Sequence, residues 1–161
     1  MDYYDETAAS YIPLHGAEQR EKINIIGNRL KPHTNDILLD VGCGTLLSAE
    51  ILPCVVVGVD SSFAMLQQRK KGFGIQAYGE YLPFKSHTFD FVICVTALHN
   101  FNDYAKGLEE MLRVGKKSYA FSILKKSAHF EAIKKNVSNL FTITYTTGTQ
   151  HDAVFFCEPK R

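Results

Sequence analysis

The chain has 161 residues, of which 45% are hydrophobic and 22% are charged, and its formal net charge is +1. This is ordinary globular composition, sufficient for one domain with a sizeable core. No apolar run reaches the ~18 residues that a membrane span requires, and the acidic N-terminus differs from a signal peptide. The 4 cysteines form no C-x-x-C pair and the histidines are scattered, which argues against a metal site or a disulfide framework. We therefore expect a cytoplasmic protein without a metal.

The charges are unevenly distributed along the chain. Residues 1–112 hold 9 Lys/Arg and 14 Asp/Glu, whereas residues 113–161 hold 9 and 3. A basic C-terminal third could contact the phosphates of RNA or a protein partner. Paired lysines also flank strands and helix faces simply for solubility, and the pattern favours this second interpretation. The oligomeric state is left open.

Hydrophobic periodicity predicts helices that alternate with strands. Ile23, Ile26 and Leu30 indicate an N-terminal helix over residues 17–30, and Gly72 and Gly74 are expected to end the third helix. The remaining elements are strands at 37–41, 55–59, 75–78, 89–95 and 118–124, helices at 46–52, 62–71, 103–114 and 128–140, and a hairpin of 141–146 with 153–157.

This alternation implies a parallel α/β sheet, to which the terminal hairpin adds one antiparallel strand. No repeat, low-complexity tract or linker divides the chain, so one domain over residues 1–161 is predicted, with residues 1–30 as an N-terminal helical region.

The most informative segment is the strand at 37–41, which ends in a turn containing Gly42 and Gly44. Asp40 stands two residues before the turn, and the next strand ends at Asp60. Glycines let backbone amides approach a ligand closely, and an acid at the tip of the next strand can accept hydrogen bonds from ribose hydroxyls. The pattern therefore predicts a nucleotide-binding β-α-β unit. A dinucleotide fingerprint would need glycine where the chain has Leu47, which disfavours a nicotinamide-dependent oxidoreductase.

Four segments in order resemble the motifs of class I S-adenosylmethionine-dependent methyltransferases of the type 11 kind. They are Asp40–Thr45, Asp60 with Ser61, Glu80–Phe84, and Phe89–Val95 followed by Ala97-Leu98-His99. The resemblance covers most of the chain. It implies a Rossmann-like, seven-stranded, mostly parallel sheet with an antiparallel terminal strand and helices on both faces.

The resemblance also implies which residues bind S-adenosylmethionine and release S-adenosylhomocysteine. The methionine part would be held by Asp40 and the glycine turn, and the ribose by Asp60. The backbone of residues 79–81 would meet the adenine, and the segment after strand four would border the methyl group. The implied cofactor-binding residues are Tyr11, Asp40, Gly42, Cys43, Gly44, Asp60, Ser61, Gly79, Glu80, Tyr81, Val95 and Thr96.

Two of the implied positions have competing explanations. His99 is either a catalytic base or substrate contact, or a loop histidine that forms local hydrogen bonds. Tyr4, Ala8 and Tyr11 share one helical face, as in the opening segment of these methyltransferases. That segment is either a lid with Tyr11 near the methionine end of the cofactor, or a surface helix that packs through its aromatic rings.

The chain departs from the family at Leu46, where a third glycine is usual. We expect Leu46 to lie in the core, because Leu46-Leu47 opens a helix whose apolar side must meet the sheet. The leading hypothesis is methyl transfer to an unidentified small molecule, RNA or protein. The alternative, motivated by Leu46 and by the lack of an inserted substrate domain, is a non-catalytic S-adenosylmethionine-binding or scaffold subunit of a larger methyltransferase complex.

Overall fold

A computed structural model describes the backbone of residues 3–160 and the side chains of residues 15–160. One seven-stranded sheet has the order β3-β2-β1-β4-β5-β7-β6. Strands β1 to β5 are parallel, and β7 runs antiparallel to both of its neighbours, β5 and β6. The strands are β1 Ile37–Val41, β2 Val55–Asp60, β3 Phe73–Gln76, β4 Phe89–Val95, β5 Gly115–Leu124, β6 Phe141–Gly148 and β7 Asp152–Pro159. The predicted fold class is confirmed.

Helices cover both faces of this sheet. They are α1 Tyr3–Leu30, α2 Ser48–Ile51, α3 Phe63–Gln67, α4 Tyr104–Val114 and α5 Phe130–Leu140, with a short 3₁₀ turn at Leu98–Asn100. One apolar core contains Ile23 and Ile26 of α1, and the other contains Met111 of α4 and Ile133 of α5. Within the part of the chain that the structure describes, no helix is long and apolar enough to cross a bilayer.

Several predicted boundaries are wrong, and the largest error is at α1, which begins at Tyr3 instead of 17. Helix α3 ends at Gln67 instead of 71, and β3 begins at Phe73 instead of 75. The backbone at Gly72 adopts φ +82° and passes close to the side chains of Leu46 and Ala49, so the chain turns there and pairs with β2 at once. Strand β5 begins at Gly115 instead of 118, because the Gly115 amide closes α4 on the Met111 carbonyl while the residue pairs with Phe89.

Leu46 lies in the core, as the sequence predicts, and its side chain is fully buried. Its backbone has φ +57°, a left-handed conformation that glycine adopts at little cost. The side chain occupies space beside Gly58 and Gly72, where an added Cβ would collide with it. Two glycines on neighbouring segments therefore make room for the leucine.

Candidate functional site

A cavity of about 590 Å³ opens at the carboxyl ends of the central strands. Parallel strands end at one edge of the sheet, so the acids and glycines that follow them meet there. Of the residues predicted to bind the cofactor, ten line this cavity: Asp40, Gly42, Cys43, Gly44, Asp60, Ser61, Gly79, Glu80, Val95 and Thr96. The roles assigned to them remain predictions.

The turn after β1 is held against the end of β2. The amides of Gly42 and Cys43 both donate to the Val59 carbonyl, at 2.7 and 3.0 Å. Asp60 Oδ2 accepts from the Gly44 amide at 2.7 Å, and its Oδ1 accepts from the Ser62 amide at 2.9 Å. Gly42 and Gly44 have φ values of +73° and +55°, which give the turn its tight path. Asp60 therefore braces the turn as well as lining the cavity.

Asp60→Ala is expected to weaken binding of S-adenosylmethionine about ten- to hundredfold, since a hydrogen bond to a charged group contributes about 1.5–3 kcal/mol. The two backbone amides also lose their acceptor, so the melting temperature should fall. Asp60→Asn is the matched control, because it keeps one acceptor oxygen and should lose less stability. Calorimetry and thermal melting measure both effects, and unchanged affinity in folded Asp60→Ala would contradict the ribose role.

Asp40 is the second carboxylate in the cavity and is only 3% exposed. Ser48 Oγ donates to its Oδ2, while Oδ1 is buried and has no hydrogen-bond partner among the described residues. Burial raises the pKa of Asp40 to about 7, the Ser48 hydrogen bond opposes this shift, and the nearby charge of Asp60 adds to it. Asp40 thus offers a buried acceptor whose charge would be stabilised by a cation in the cavity.

Glu80, although it lines the cavity, has a side chain engaged elsewhere. Its Oε1 accepts from the amides of Asn102 and Asp103, at 2.9 and 3.2 Å. Tyr81 is 68% exposed and is not among the residues that line the cavity. The Lys106 ammonium instead lies 5.4 Å from the centre of its ring.

His99 lies outside the cavity lining in the described part of the chain. Burial lowers the pKa of its imidazole, and the charge of Asp152 opposes that shift. Its Nδ1 is buried without a hydrogen-bond partner among residues 15–160. The role of His99 as a base stays a prediction, and so does that of Tyr11, whose side chain falls outside the described residues.

Helix α1 contributes residues to the cavity that sequence reasoning missed. Gly16, Gln19 and Ile23 line it, and their spacing of three and four places them on one helical face. That spacing is the sequence pattern by which these residues could have been assigned to a common helix face. Phe101 also lines the cavity, and its ring fills the space beside Gly79 and Gly107. No sequence pattern marked Phe101. No group of three His, Cys, Asp or Glu side chains suited to a metal occurs among the described residues.

Comparison with known proteins agrees with this geometry. A family model described as a methyltransferase domain matches residues 39–122, just over half of the chain. A demethylmenaquinone methyltransferase of Corynebacterium kroppenstedtii is 38% identical over 93 residues, which cover 55% of this chain and 41% of that protein. The chain spans about half or less of the length of the curated relatives it matches.

Solved structures share the fold at low identity. A SAM-dependent methyltransferase from Aquifex aeolicus has a TM-score of 0.72 at 15% identity, covering 86% of this chain and 89% of its own. Magnesium protoporphyrin IX methyltransferase from Synechocystis PCC 6803, solved with bound SAM, has a TM-score of 0.70 at 16% identity, with coverages of 88% and 80%.

Proposed function

Since the chain belongs to the methyltransferase-domain family, we propose that it transfers a methyl group from S-adenosylmethionine to an acceptor and releases S-adenosylhomocysteine. The observation that carries this proposal is the cavity beside the glycine turn, where Asp40 keeps a buried oxygen without a partner among the described residues. A buried acceptor left unsatisfied is costly, and a donor group on a bound cation would satisfy it.

The residues present fit this cofactor. The cavity falls in the volume range of small-molecule sites, and its lining mixes apolar side chains with about as many polar ones, among them the carboxylates of Asp40 and Asp60. Asp40 would hold the ammonium of the methionine part, and Asp60 would accept from the ribose hydroxyls. Gly79 and the neighbouring backbone would border the adenine. The affinity for the cofactor would then depend on two carboxylates that lie on adjacent strands.

When bound, the cofactor supplies a methyl group on a sulfonium, which is already activated for in-line displacement by a nucleophile. The chain's contribution is therefore mainly positioning and the exclusion of water. Val95 and Thr96 form the wall at the end of β4, and α1 covers the cavity with Gln19 and Ile23. We assign no catalytic base, because His99 does not line the cavity within the described residues.

Binding of S-adenosylmethionine is expected to weaken as the pH falls through about 7, the pKa of Asp40 in the ligand-free protein. A cation favours the ionised carboxyl, so affinity should be greater above this pKa and fall below it. Asp40→Asn should bind more weakly at pH 8 and lose this pH dependence. Calorimetry at pH 6 and pH 8 compares the two proteins, and an identical pH dependence in the variant would contradict the role of Asp40.

The proposal is tested by calorimetry with S-adenosylmethionine, S-adenosylhomocysteine and NAD. Binding of the first two without NAD supports it, and the reverse would favour an oxidoreductase. Production of S-adenosylhomocysteine in the presence of candidate acceptors then separates an enzyme from a non-catalytic subunit. The burial of Leu46 outside the cavity lining favours the enzyme, because it removes one reason for the alternative.

We propose that any RNA or protein partner contacts the basic C-terminal third, although several of its lysines already have partners. Lys117 lies 3.4 Å from Asp90 Oδ1, and Lys125 Nζ donates to the Thr149 carbonyl at 2.7 Å. The exposed residues Lys134 and Lys135 of α5 therefore provide the test. RNA binding that weakens steeply with salt, and that is lost in Lys134→Glu/Lys135→Glu, would support an RNA partner.

A further inference from the structure

A buried polar cluster lies behind the wall of the cavity. Lys22 Nζ of α1 donates to Thr96 Oγ1 at 2.7 Å and lies 3.5 Å from Asp152 Oδ2 at the start of β7. Thr96 Oγ1 and Ser122 Oγ each donate to the same Asp152 oxygen at 2.6 Å. The side chains of Lys22 and Asp152 are 2% and 0% exposed. We call Lys22, Thr96, Ser122 and Asp152 the buried cluster.

The buried charges of the cluster are expected to add little net stability to the fold. Removing an ammonium and a carboxylate from water carries a penalty that their attraction often only offsets, and apolar residues of similar volume are frequently as stable. Such a pair does specify geometry, because each charge tolerates burial only where its partner stands. Here the partners come from elements far apart in the chain, so the pair fixes how α1 sits on the sheet.

The position of the buried cluster links two parts of the cavity. Lys22 lies on α1 between Gln19 and Ile23, which line the cavity. Thr96 lines the cavity wall and has φ +54°, an unfavourable conformation for a β-branched residue. Its hydroxyl contacts three members of the cluster, which hold the backbone in this conformation. The cluster therefore ties the covering helix to the strained residue at the end of β4.

We propose that Lys22 and Asp152 are positioning residues that latch α1 over the cavity and hold Thr96 at its wall, so that breaking the pair speeds release of the ligand. This proposal rests on the proposed function for the identity of the ligand. The pair does not line the cavity within the described residues and acts through Gln19, Ile23 and Thr96. We call the pair of Lys22 and Asp152 the latch. Separation of this pair would let α1 move away from the sheet and expose the cavity to water.

The informative variant is the double substitution Lys22→Met/Asp152→Asn. Lys22→Met alone leaves the buried Asp152 carboxylate without its cation, and Asp152→Asn alone leaves the buried Lys22 ammonium with only Glu18, 3.7 Å away on the same helix. Both single substitutions are therefore expected to destabilise the protein. The double variant removes both charges, retains the aliphatic stem of Lys22 and leaves an oxygen to accept from Thr96 and Ser122. It should therefore stay folded while losing the pair that fixes α1. If the pair served only the stability of the fold, the double variant would bind and release the ligand as the wild-type protein does.

The first measurement is the rate at which S-adenosylhomocysteine dissociates, followed by stopped-flow displacement. The double variant is expected to release the ligand about tenfold faster or more, because differences in affinity between related proteins arise mainly in dissociation. The matched control is Arg29→Met, a substitution on the same helix as Lys22. It removes the contact of the Arg29 guanidinium with the Tyr145 ring, whose centre lies 4.3 Å away. The control should release the ligand at the wild-type rate.

The second measurement, amide hydrogen exchange of the ligand-free protein, does not depend on the proposed function. Amides over residues 16–26 should lose about tenfold or more protection in the double variant, while those of β1 and β4 keep theirs. If wild-type protein fails to bind S-adenosylhomocysteine, the proposed function fails and exchange alone decides on the latch. The latch would be overturned if the double variant released the ligand at the wild-type rate and kept wild-type exchange protection over residues 16–26. It would also be overturned if Arg29→Met changed both quantities as much as the double variant does.

Discussion

Replacing Gly42 by alanine is expected to abolish measurable binding of S-adenosylmethionine and to lower the melting temperature as well. The backbone at Gly42 has φ +73°, and an added Cβ would lie 2.5 Å from the Cβ of Ala97. Left-handed strain alone costs about 1–3 kcal/mol, and the collision forces one of the two segments to move. From the sequence alone, a valine here is expected to abolish binding while the protein stays folded. The structure shows that the adjacent space belongs partly to Ala97, so the fold is affected too.

Gly44→Ala is the matched control for this prediction. Gly44 also has a positive φ, of +55°, but the Cβ would meet only the flexible end of Met65, at 3.0 Å. It should therefore lose less stability than Gly42→Ala. The double variant Gly42→Ala/Ala97→Gly removes the collision and should recover part of the loss. Thermal melting and calorimetry on the three variants measure stability and affinity. If Gly42→Ala melted and bound the cofactor as the wild-type protein does, the ligand would have to bind elsewhere.

The fold was largely predictable because its signals are local. Apolar strands bounded by acids and glycines lie where periodicity indicates, and the parallel order follows from alternation with helices. The errors at Gly72 and Gly115 arise from long-range packing. Gly72 turns against α2, and Gly115 ends a helix and begins a strand at the same residue. Neither arrangement can be inferred from neighbours in the sequence.

The same distinction explains what was found and missed in the site. Asp40, Asp60 and the glycine turn follow strands, and topology alone brings the ends of parallel strands together. The contribution of α1 depends on how the helix packs across the sheet. The pairing of Lys22 with Asp152 joins elements from opposite ends of the described chain, and no spacing rule relates them.

The departure at Leu46 also depends on long-range packing. Its backbone keeps the left-handed conformation that suits glycine, with φ +57°, while its side chain fills the space beside Gly58 and Gly72. Two opposing contributions therefore act at one residue. The conformation disfavours any residue with a Cβ, and the buried side chain stabilises the core. The sequence predicted the burial of Leu46 but not its left-handed backbone, for which the glycine usual at this position in the family was the only hint.

Leu46→Ala is expected to destabilise the protein by about 2–5 kcal/mol, the usual cost of emptying a buried leucine site. Leu46→Gly removes one more carbon but relieves the left-handed strain, worth about 1 kcal/mol. It should therefore be at least as stable as Leu46→Ala, the reverse of the usual order. Thermal melting measures this, at about 2–4 °C for each kcal/mol in a protein of this size. Calorimetry should find cofactor affinity little changed, because Leu46 does not line the cavity within the described residues.

Leu47 provides the matched comparison, since it is also buried but has φ −60°, an ordinary right-handed conformation. Leu47→Gly should be less stable than Leu47→Ala by about 0.5–1 kcal/mol, because glycine has more conformational freedom to lose when the chain folds. The order of the two substitutions should thus reverse between adjacent leucines. If glycine is the less stable substitution at both positions, backbone strain at Leu46 is negligible. A tenfold gain in affinity in Leu46→Gly would mean that the leucine obstructs the cofactor, and the non-catalytic alternative would then regain its main support.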